Sequence, residues 1–410
     1  LACMGESLGW DELFMRTWVH DRSLGETYDR VQSLEKTPPF GFLLAWLVDR
    51  LASAPEVIRI PSFLAGVSLI PLTAALALRV WRKSAAIAAA AVVAASPFLV
   101  FHSIEARSYS VVAAFSLCST LALLRARATP SFWNWCAYSV FAALAISTHY
   151  IAAAILGVQL VWALSSTPRA RSAILLAQVP SVVTLAAISP LVVSQFSHAG
   201  EYLKRMDVVA PLTLETVARI NLQSLIGQPF AYLDQVPGWV GIGLIVIGVS
   251  LALSGALRGK GSTGPRLSEL LGSEQGLIGI LALATPLLLI GVSLIPQQSV
   301  LMARNLIPSV PYSLALVGVL LTAAPGWKRA VPTVLVVGGL CVGTWESATE
   351  YQRPQFKAAA QAVMETWRPG QPIVEVCCLP GQEGLPGVVV ATYLPKRASF
   401  ANFHVLTNGG

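Results

Sequence analysis

Residues 79–107 read RVWRKSAAIAAAAVVAASPFLVFHSIEAR. Three basic residues, Arg79, Arg82 and Lys83, stand at one end and the polar turn His102–Arg107 at the other. The apolar residues between them do not alternate with polar ones, so they do not read as a strand of a transmembrane barrel. Their length approaches the roughly 20 residues that a helix needs to cross about 30 Å of hydrocarbon. The stretch is therefore one membrane-crossing helix, expected over 85–102, with a basic end and a mixed polar end.

Runs of the same kind recur at 60–79, 108–124, 132–148, 150–166, 172–194, 237–257, 276–295, 304–324 and 330–345. The whole-chain composition agrees. Of 410 residues 55% are hydrophobic and only 12% charged, about half the charged share of an ordinary soluble domain (roughly 25%). That excludes a disordered chain and argues against a soluble enzyme, which needs more polar surface than this. The expected fold class is an α-helical polytopic membrane protein with about ten transmembrane helices.

The net charge of +7 does not call for a nucleic-acid partner, because its sources are segregated. Arg79, Arg82, Lys83, Arg125, Arg127, Arg169, Arg171, Arg258, Lys260, Arg266, Lys328 and Arg329 fall in alternate connections, with only Glu269 and Glu274 beside them. By the positive-inside bias that side is cytoplasmic. The opposite side, holding 8–58, 103–107, 196–236 and everything from 346, is then exterior or periplasmic, in the cell (inner) membrane. The chain begins LACMGES and already reads as an exterior loop by residue 8, so a first helix, anchor or cleaved signal, is expected upstream of residue 1.

Three parts follow: 1–58, an exterior loop with a membrane-surface helix; 59–345, the helical membrane domain; and 346–410, a small exterior α/β tail. The surface helix is the run from Pro39 carrying Asp49 and Arg50, too short to span and opened by a proline at its first turn. In the tail, Phe356, Ala360, Val363 and Trp367 share one helical face, and PIVEVCC (372–378) and GVVVATY (387–393) read as strands. Segment 211–226 is a further amphipathic helix. The loop LRGKGSTGPR is a solvated linker that only half resembles a phosphate loop. Cys3, Cys118, Cys136 and Cys341 lie in or near apolar runs as packing residues, and the adjacent Cys377 and Cys378 have no metal-ligand spacing.

The chemistry-bearing residues gather on the exterior side. Asp11 and Glu12 follow Trp10 where a first helix would leave the bilayer, and a carboxylate at that boundary can act as a base; as an alternative they are solvated loop acids. Glu105 and Arg107, with Tyr109, sit in the turn after His102. They either pair with each other, or Arg107 holds a phosphate through its planar fork while Glu105 orients an acceptor or a metal. Arg304, in Met302-Ala303-Arg304-Asn305, is a cation on the wrong side for the insertion bias, which invites a ligand unless it snorkels to headgroups. His149 in Thr148-His149-Tyr150 and Arg59 in Arg59-Ile60-Pro61-Ser62 stand at exterior helix ends and read either way. No metalloprotease or serine-hydrolase motif is present.

In order, these elements are an acidic pair, x-Pro-Pro-aromatic at 37–40, Arg-Ile-Pro-Ser, Pro97-Phe98, Glu-Ala-Arg-x-Tyr, Thr-His-Tyr, Arg-Asn-Leu-x-Pro, and Tyr351-Gln-Arg-Pro-Gln-Phe before a helix and strand. The series resembles, from about residue 8 to about 376, the polyprenyl-phosphate-dependent glycosyltransferases of the GT-C superfold, in particular the bacterial, family 39-like relatives of protein mannosyltransferases. The resemblance implies a sugar donor on a polyprenyl phosphate, with Asp11 as catalytic base and Glu12 as its orienting neighbour. It implies donor-phosphate or substrate contacts from Lys36, Glu105, Arg107, Tyr109 and Arg304. The family's basic residue before the two prolines is replaced by Thr37, with Lys36 one position earlier, and Asn305 stands where the family more often has Tyr.

The function expected is transfer of one sugar from that donor to a glycan, lipid or protein acceptor, inverting the anomeric centre, in contact with membrane lipids and no nucleic acid. A divalent ion held by Asp11, Glu12 and Glu105 stays open, since no spacing demands it. Two rivals share the composition. A lipid-linked glycan flippase or transporter would show repeats and ionisable groups near mid-membrane. A polymerase or ligase would use a diphosphate-linked donor.

Overall fold

The computed structural model of the chain describes residues 6–35, 37–52, 54–197, 211–227, 237–258, 271–294, 300–324, 326–349, 355–368, 371, 373–377, 393–394 and 400–404. The alanine-rich run forms the helix Lys83–Ala95, but the span expected over 85–102 is not continuous. A second helix, Pro97–Ser103, leaves it at 60°. Pro97 has no N–H to continue the ladder, and its ring disfavours helical geometry in the residue before it. Ser96 is accordingly extended, and its side chain caps the new helix by accepting from the Leu99 amide at 3.3 Å.

The other expected spans fall on helix, although 172–194 is divided at Gln178 between Arg171–Ala177 and Val179–Ser197, and 304–324 is a 3₁₀ turn, Ala303–Leu306, followed by the short helix Val310–Leu321. Among the described residues six helical stretches are long and apolar enough to cross a membrane: Pro55–Val80, Tyr109–Ala128, Pro168–Val193, Gly238–Leu257, Glu274–Ser293 and Ala330–Thr349. The bent pair makes a seventh if counted as one span. Phe132–Thr148, Ala152–Ser166 and Val310–Leu321 are shorter helices of 17, 15 and 12 residues. Lipid-facing sides are oily, with Leu64, Ile87, Val140, Val161, Val182, Val246, Leu283 and Val334 exposed, as befits helices whose solvent is hydrocarbon. The chain is an α-helical, multi-span membrane protein.

Close packing replaces the hydrophobic effect between these helices. A Cβ on Gly318 would fall 2.6 Å from the Ala89 amide nitrogen, so Val310–Leu321 rests directly on Lys83–Ala95. Gly339 meets Gly241 as closely, joining Ala330–Thr349 to Gly238–Arg258. A buried polar network adds a second fastening. Gln159 donates to Ser119 (2.9 Å) and Thr120 (2.8 Å), and the Tyr312 hydroxyl meets Thr120 at 2.6 Å and donates to the Ser116 carbonyl at 2.9 Å.

The alternation of charge along the chain becomes two ends in space. At one end Arg79 donates to the Leu124 carbonyl (3.0 Å) and to Glu274 (3.2 Å), Arg82 to the Thr322 carbonyl, and Gln275 to the Val80 carbonyl (3.2 Å). The connections with the basic clusters thus meet each other. The remaining polar elements occupy the other end.

There, the surface helix forms as expected, over Phe40–Asp49 with Pro39 at its N-cap. The amphipathic helix is Leu214–Ile226, capped by Thr213. The tail helix is Phe356–Thr366. Strand Ile373–Cys377 lies within the first expected strand and pairs in parallel with Phe400–His404, which sequence reading missed. The second expected strand, 387–393, lies outside the described residues except for Tyr393, which is in a turn.

Candidate functional site

Asp11 and Glu12 stand in the first turn of the helix Trp10–Val19, a position that favours negative charge. From that turn the two acids go separate ways.

Glu12 is buried, 1% exposed, and opposite it Arg59 is fully buried. Arg59 donates through Nε to Glu12 Oε1 at 2.7 Å and through Nη2 to Oε2 at 2.8 Å. The Ala106 amide donates to Oε1 at 2.8 Å and the Gly9 amide to Oε2 at 2.7 Å. The guanidinium also reaches the Glu6 and Ser7 carbonyls, each at 2.9 Å. One carboxylate and one guanidinium, 47 residues apart in sequence, therefore lock the first helix, the entry to Ile60–Val80 and the 103–107 turn together. The tail rests on the same place. The Lys357 amide donates to Ser7 Oγ at 2.9 Å, Lys357 Nζ meets Glu56 at 3.2 Å, and the Leu8 amide donates to the Tyr393 hydroxyl at 2.7 Å.

Asp11 is 43% exposed at its side chain and accepts from Arg304 Nη1 at 2.9 Å, Arg304 being 34% exposed. Arg304 comes from the short 3₁₀ helix Ala303–Leu306 that precedes Val310–Leu321. Arg107 lies beside this pair and meets Glu35 at 2.9 Å, both side chains 12% exposed, with Phe42 under the guanidinium at 5.8 Å. Burial opposes the Arg107 charge, but Glu35, Tyr109 and Asp11 outweigh it and hold the group well above the usual arginine value. Glu105 does not pair with Arg107. Its carboxylate accepts from His102 Nδ1 at 2.8 Å, and the His102 ring stands edge-on to Tyr109 at 5.2 Å.

His149, at the end of Phe132–Thr148, completes the group. Its ring lies 5.8 Å from Tyr109, and Nδ1 accepts from the Ile151 amide at 3.2 Å, so the neutral ring carries its proton on Nε2. Burial, then the Arg107 and Arg304 charges, push it down to about 4, against a smaller opposing pull from Glu35.

The structure thus brings together, from five separate elements, Asp11, Arg107, Tyr109, His149 and Arg304, with Glu105 adjoining. It places Glu12 and Arg59 beneath them as a closed clasp. Lys36 lies outside the described residues. Sequence reading missed Glu35; its only local signal was its place directly before Lys36 and the two prolines. It also missed the tie from Arg16 and His20 to Asp49, at 3.3 and 2.9 Å, which fixes the first helix to the surface helix. Among the described residues no three His, Cys, Asp or Glu side chains converge as metal ligands. Asp11, Glu12 and Glu105 each face a different partner, so they do not fit a shared ion in this arrangement.

What this arrangement offers chemically is an accessible carboxylate against two guanidinium groups, on a rigid base at the polar end of a membrane bundle. Residues 36–194 match the family model described as dolichyl-phosphate-mannose-protein mannosyltransferase. No curated protein matches the chain by sequence. Among solved structures, ArnT from Cupriavidus metallidurans in the apo state is 15% identical with a TM-score of 0.58, over 98% of this chain and 82% of that one. The same protein bound to undecaprenyl phosphate gives 15% identity and a TM-score of 0.55, over 97% and 83%. The resemblance carried by the ordered motifs is therefore met by a family match over 36–194 and by a fold shared with ArnT over nearly the whole chain.

Proposed function

We propose that the chain is a membrane glycosyltransferase that moves a sugar from a polyprenyl-phosphate donor to a glycan, lipid or protein acceptor. The observation that carries the reading is the meeting of Asp11 with Arg304, beside Arg107, at the polar end of the bundle. Transfer from a phosphate-linked sugar needs a base for the acceptor hydroxyl and cations for the departing phosphate. Asp11 takes the proton as the acceptor oxygen bonds to the anomeric carbon. The carbon–oxygen bond to phosphate breaks, and the released phosphate gathers charge between Arg304 and Arg107. Tyr109 and neutral His149 wall the same space. Direct attack inverts the anomeric centre. That a protein of the same fold was solved with undecaprenyl phosphate supports the class of donor.

Glu12 and Arg59 act in this reading through position, as the clasp that aims the Asp11 turn. The division into an exterior loop (1–58), a membrane domain (59–345) and an exterior tail (346–410) carries over, with site and tail on the periplasmic face of the cell membrane. The basic clusters gathered at the opposite end support that orientation.

Purified protein offered polyprenyl-phosphate and polyprenyl-diphosphate sugars tests the reading. Turnover is expected with the monophosphate donor and an inverted product. Asp11→Asn is expected to lower it by about 10²–10⁴-fold with the fold intact. Wild-type rates in that variant remove the base. Turnover with the diphosphate alone identifies a polymerase or ligase, and lipid scrambling in vesicles without turnover identifies a flippase.

A further inference from the structure

Both arginines assigned to the donor phosphate already hold a carboxylate. Arg304 holds Asp11 and Arg107 holds Glu35, both at 2.9 Å. Arg304 Nη1 covers Asp11 Oδ2 and Glu35 covers Arg107 Nη1, so a phosphate that reaches either guanidinium has to displace a carboxylate from it. The Asp11–Arg304 pair is also breakable. Both side chains are at least a third exposed, and one contact joins them, whereas Glu12 and Arg59 are saturated and sealed.

We infer that donor binding is an anion exchange: the lipid phosphate takes Arg304 from Asp11 and Arg107 from Glu35, which uncovers Asp11 Oδ2 for the acceptor proton. This rests on the glycosyltransferase reading and deepens it. Glu35 becomes a positioning residue, one that keeps Arg107 extended toward the site until phosphate arrives. A planar guanidinium grips phosphate through two parallel bonds, so the exchange favours a ligand with several phosphate oxygens. Order follows from it, with donor before acceptor. So does release. The product phosphate monoester carries more charge than the donor diester and holds the arginines harder. Glu35, and Asp11 once it has passed its proton to water, help expel it by reclaiming them.

Binding of a polyprenyl phosphate, and of the matching polyprenol, to the full chain in detergent tests the exchange. Wild type is expected to prefer the phosphate. Asp11→Asn is expected to bind the phosphate about two- to fivefold more tightly, the scale of a partly exposed ion pair removed from competition, and Glu35→Gln, whose pair is the more buried of the two, at least as much more tightly, with polyprenol unchanged. A gain in affinity is opposite in sign to structural damage. Glu56→Gln, whose acid is paired with Lys357, controls for charge and is expected to bind like wild type. Equal or weaker binding by Asp11→Asn overturns the exchange, as does an equal gain in Glu56→Gln. A wild type that does not distinguish phosphate from polyprenol removes the donor reading itself.

Discussion

Asp11 and Glu12 are neighbours in sequence and opposites in structure. Glu12 faces inward, gives each oxygen two donors, and meets an arginine with no exposure. Asp11 faces the opening and meets Arg304 by one contact at a place water reaches. The same chemical pair, carboxylate and guanidinium, is a weld in one case and a latch in the other. Burial and saturation decide which. A desolvated charge cannot leave its partner without leaving both stranded, while a half-exposed one trades partners at small cost.

Breaking the weld gives the largest effect on stability. Glu12→Ala strands the Arg59 charge and is expected to cost about 3–5 kcal/mol, against about 1 kcal/mol or less for Asp11→Asn, read by chemical or thermal unfolding in detergent. Equal losses in the two variants would end the distinction. Glu12→Met with Arg59→Met is expected to recover part of the loss, because apolar replacement of both partners removes the stranded charge.

A smaller effect sharpens the latch side. His149 is held down from 6.5 to about 4 by burial and by Arg107 and Arg304. Between those values the unfolded chain takes up a proton that the folded chain refuses, so stability rises with pH there. The contribution is fully present above 6.5 and is lost as the pH falls toward 4. Melting curves across that window are expected to be flatter for His149→Gln than for wild type; identical slopes would mean that neither burial nor the two arginines holds the ring's pKa down. Smallest is Arg79→Met at the far end. The pair with Glu274 is about a third exposed on each side, and its loss is expected to cost about 1 kcal/mol or less. A larger melting shift would show that the basic end has its own weld.

Helices were legible in the sequence because a membrane span writes its length and composition into consecutive residues. The surface helix after Pro39 and the amphipathic helix within 211–226 were legible for the same local reason. That the basic connections share one end of the bundle was legible because insertion sorts charge by loop. The partners were not. Glu12 finds Arg59 and Ala106, and Gln159 finds Ser119 and Thr120, across tens of residues. Nothing near either end of such a bond records the other. Glu35 was missed for that reason, and Glu105 was weighed against Arg107 when it faces His102 instead. The parallel strand Phe400–His404 is likewise a long-range choice. Pro97 did announce itself, yet the sequence alone does not say whether a proline bends a span, as there, or is absorbed, as Pro71 is inside Ile60–Val80.

The bend at Ser96-Pro97 has a consequence for where the reaction would run. Lys83–Ala95 has 13 residues, about 20 Å of helix, against a hydrocarbon layer of about 30 Å. A helix anchored by Arg82 and Lys83 at one surface stops short of the other, and Pro97–Ser103 then departs obliquely. The loop bearing Glu105 and Arg107 hangs from that oblique helix and leads directly into the 20-residue helix Tyr109–Ala128. One end of the loop is thus fixed by a full-length span and the other by a short strut that meets it at 60°. Where the two side chains stand around the polar end is then a property of the Ser96-Pro97 corner, and straightening that corner would carry Glu105 and Arg107 away from Asp11 and Arg304 with no change to any residue of the cluster.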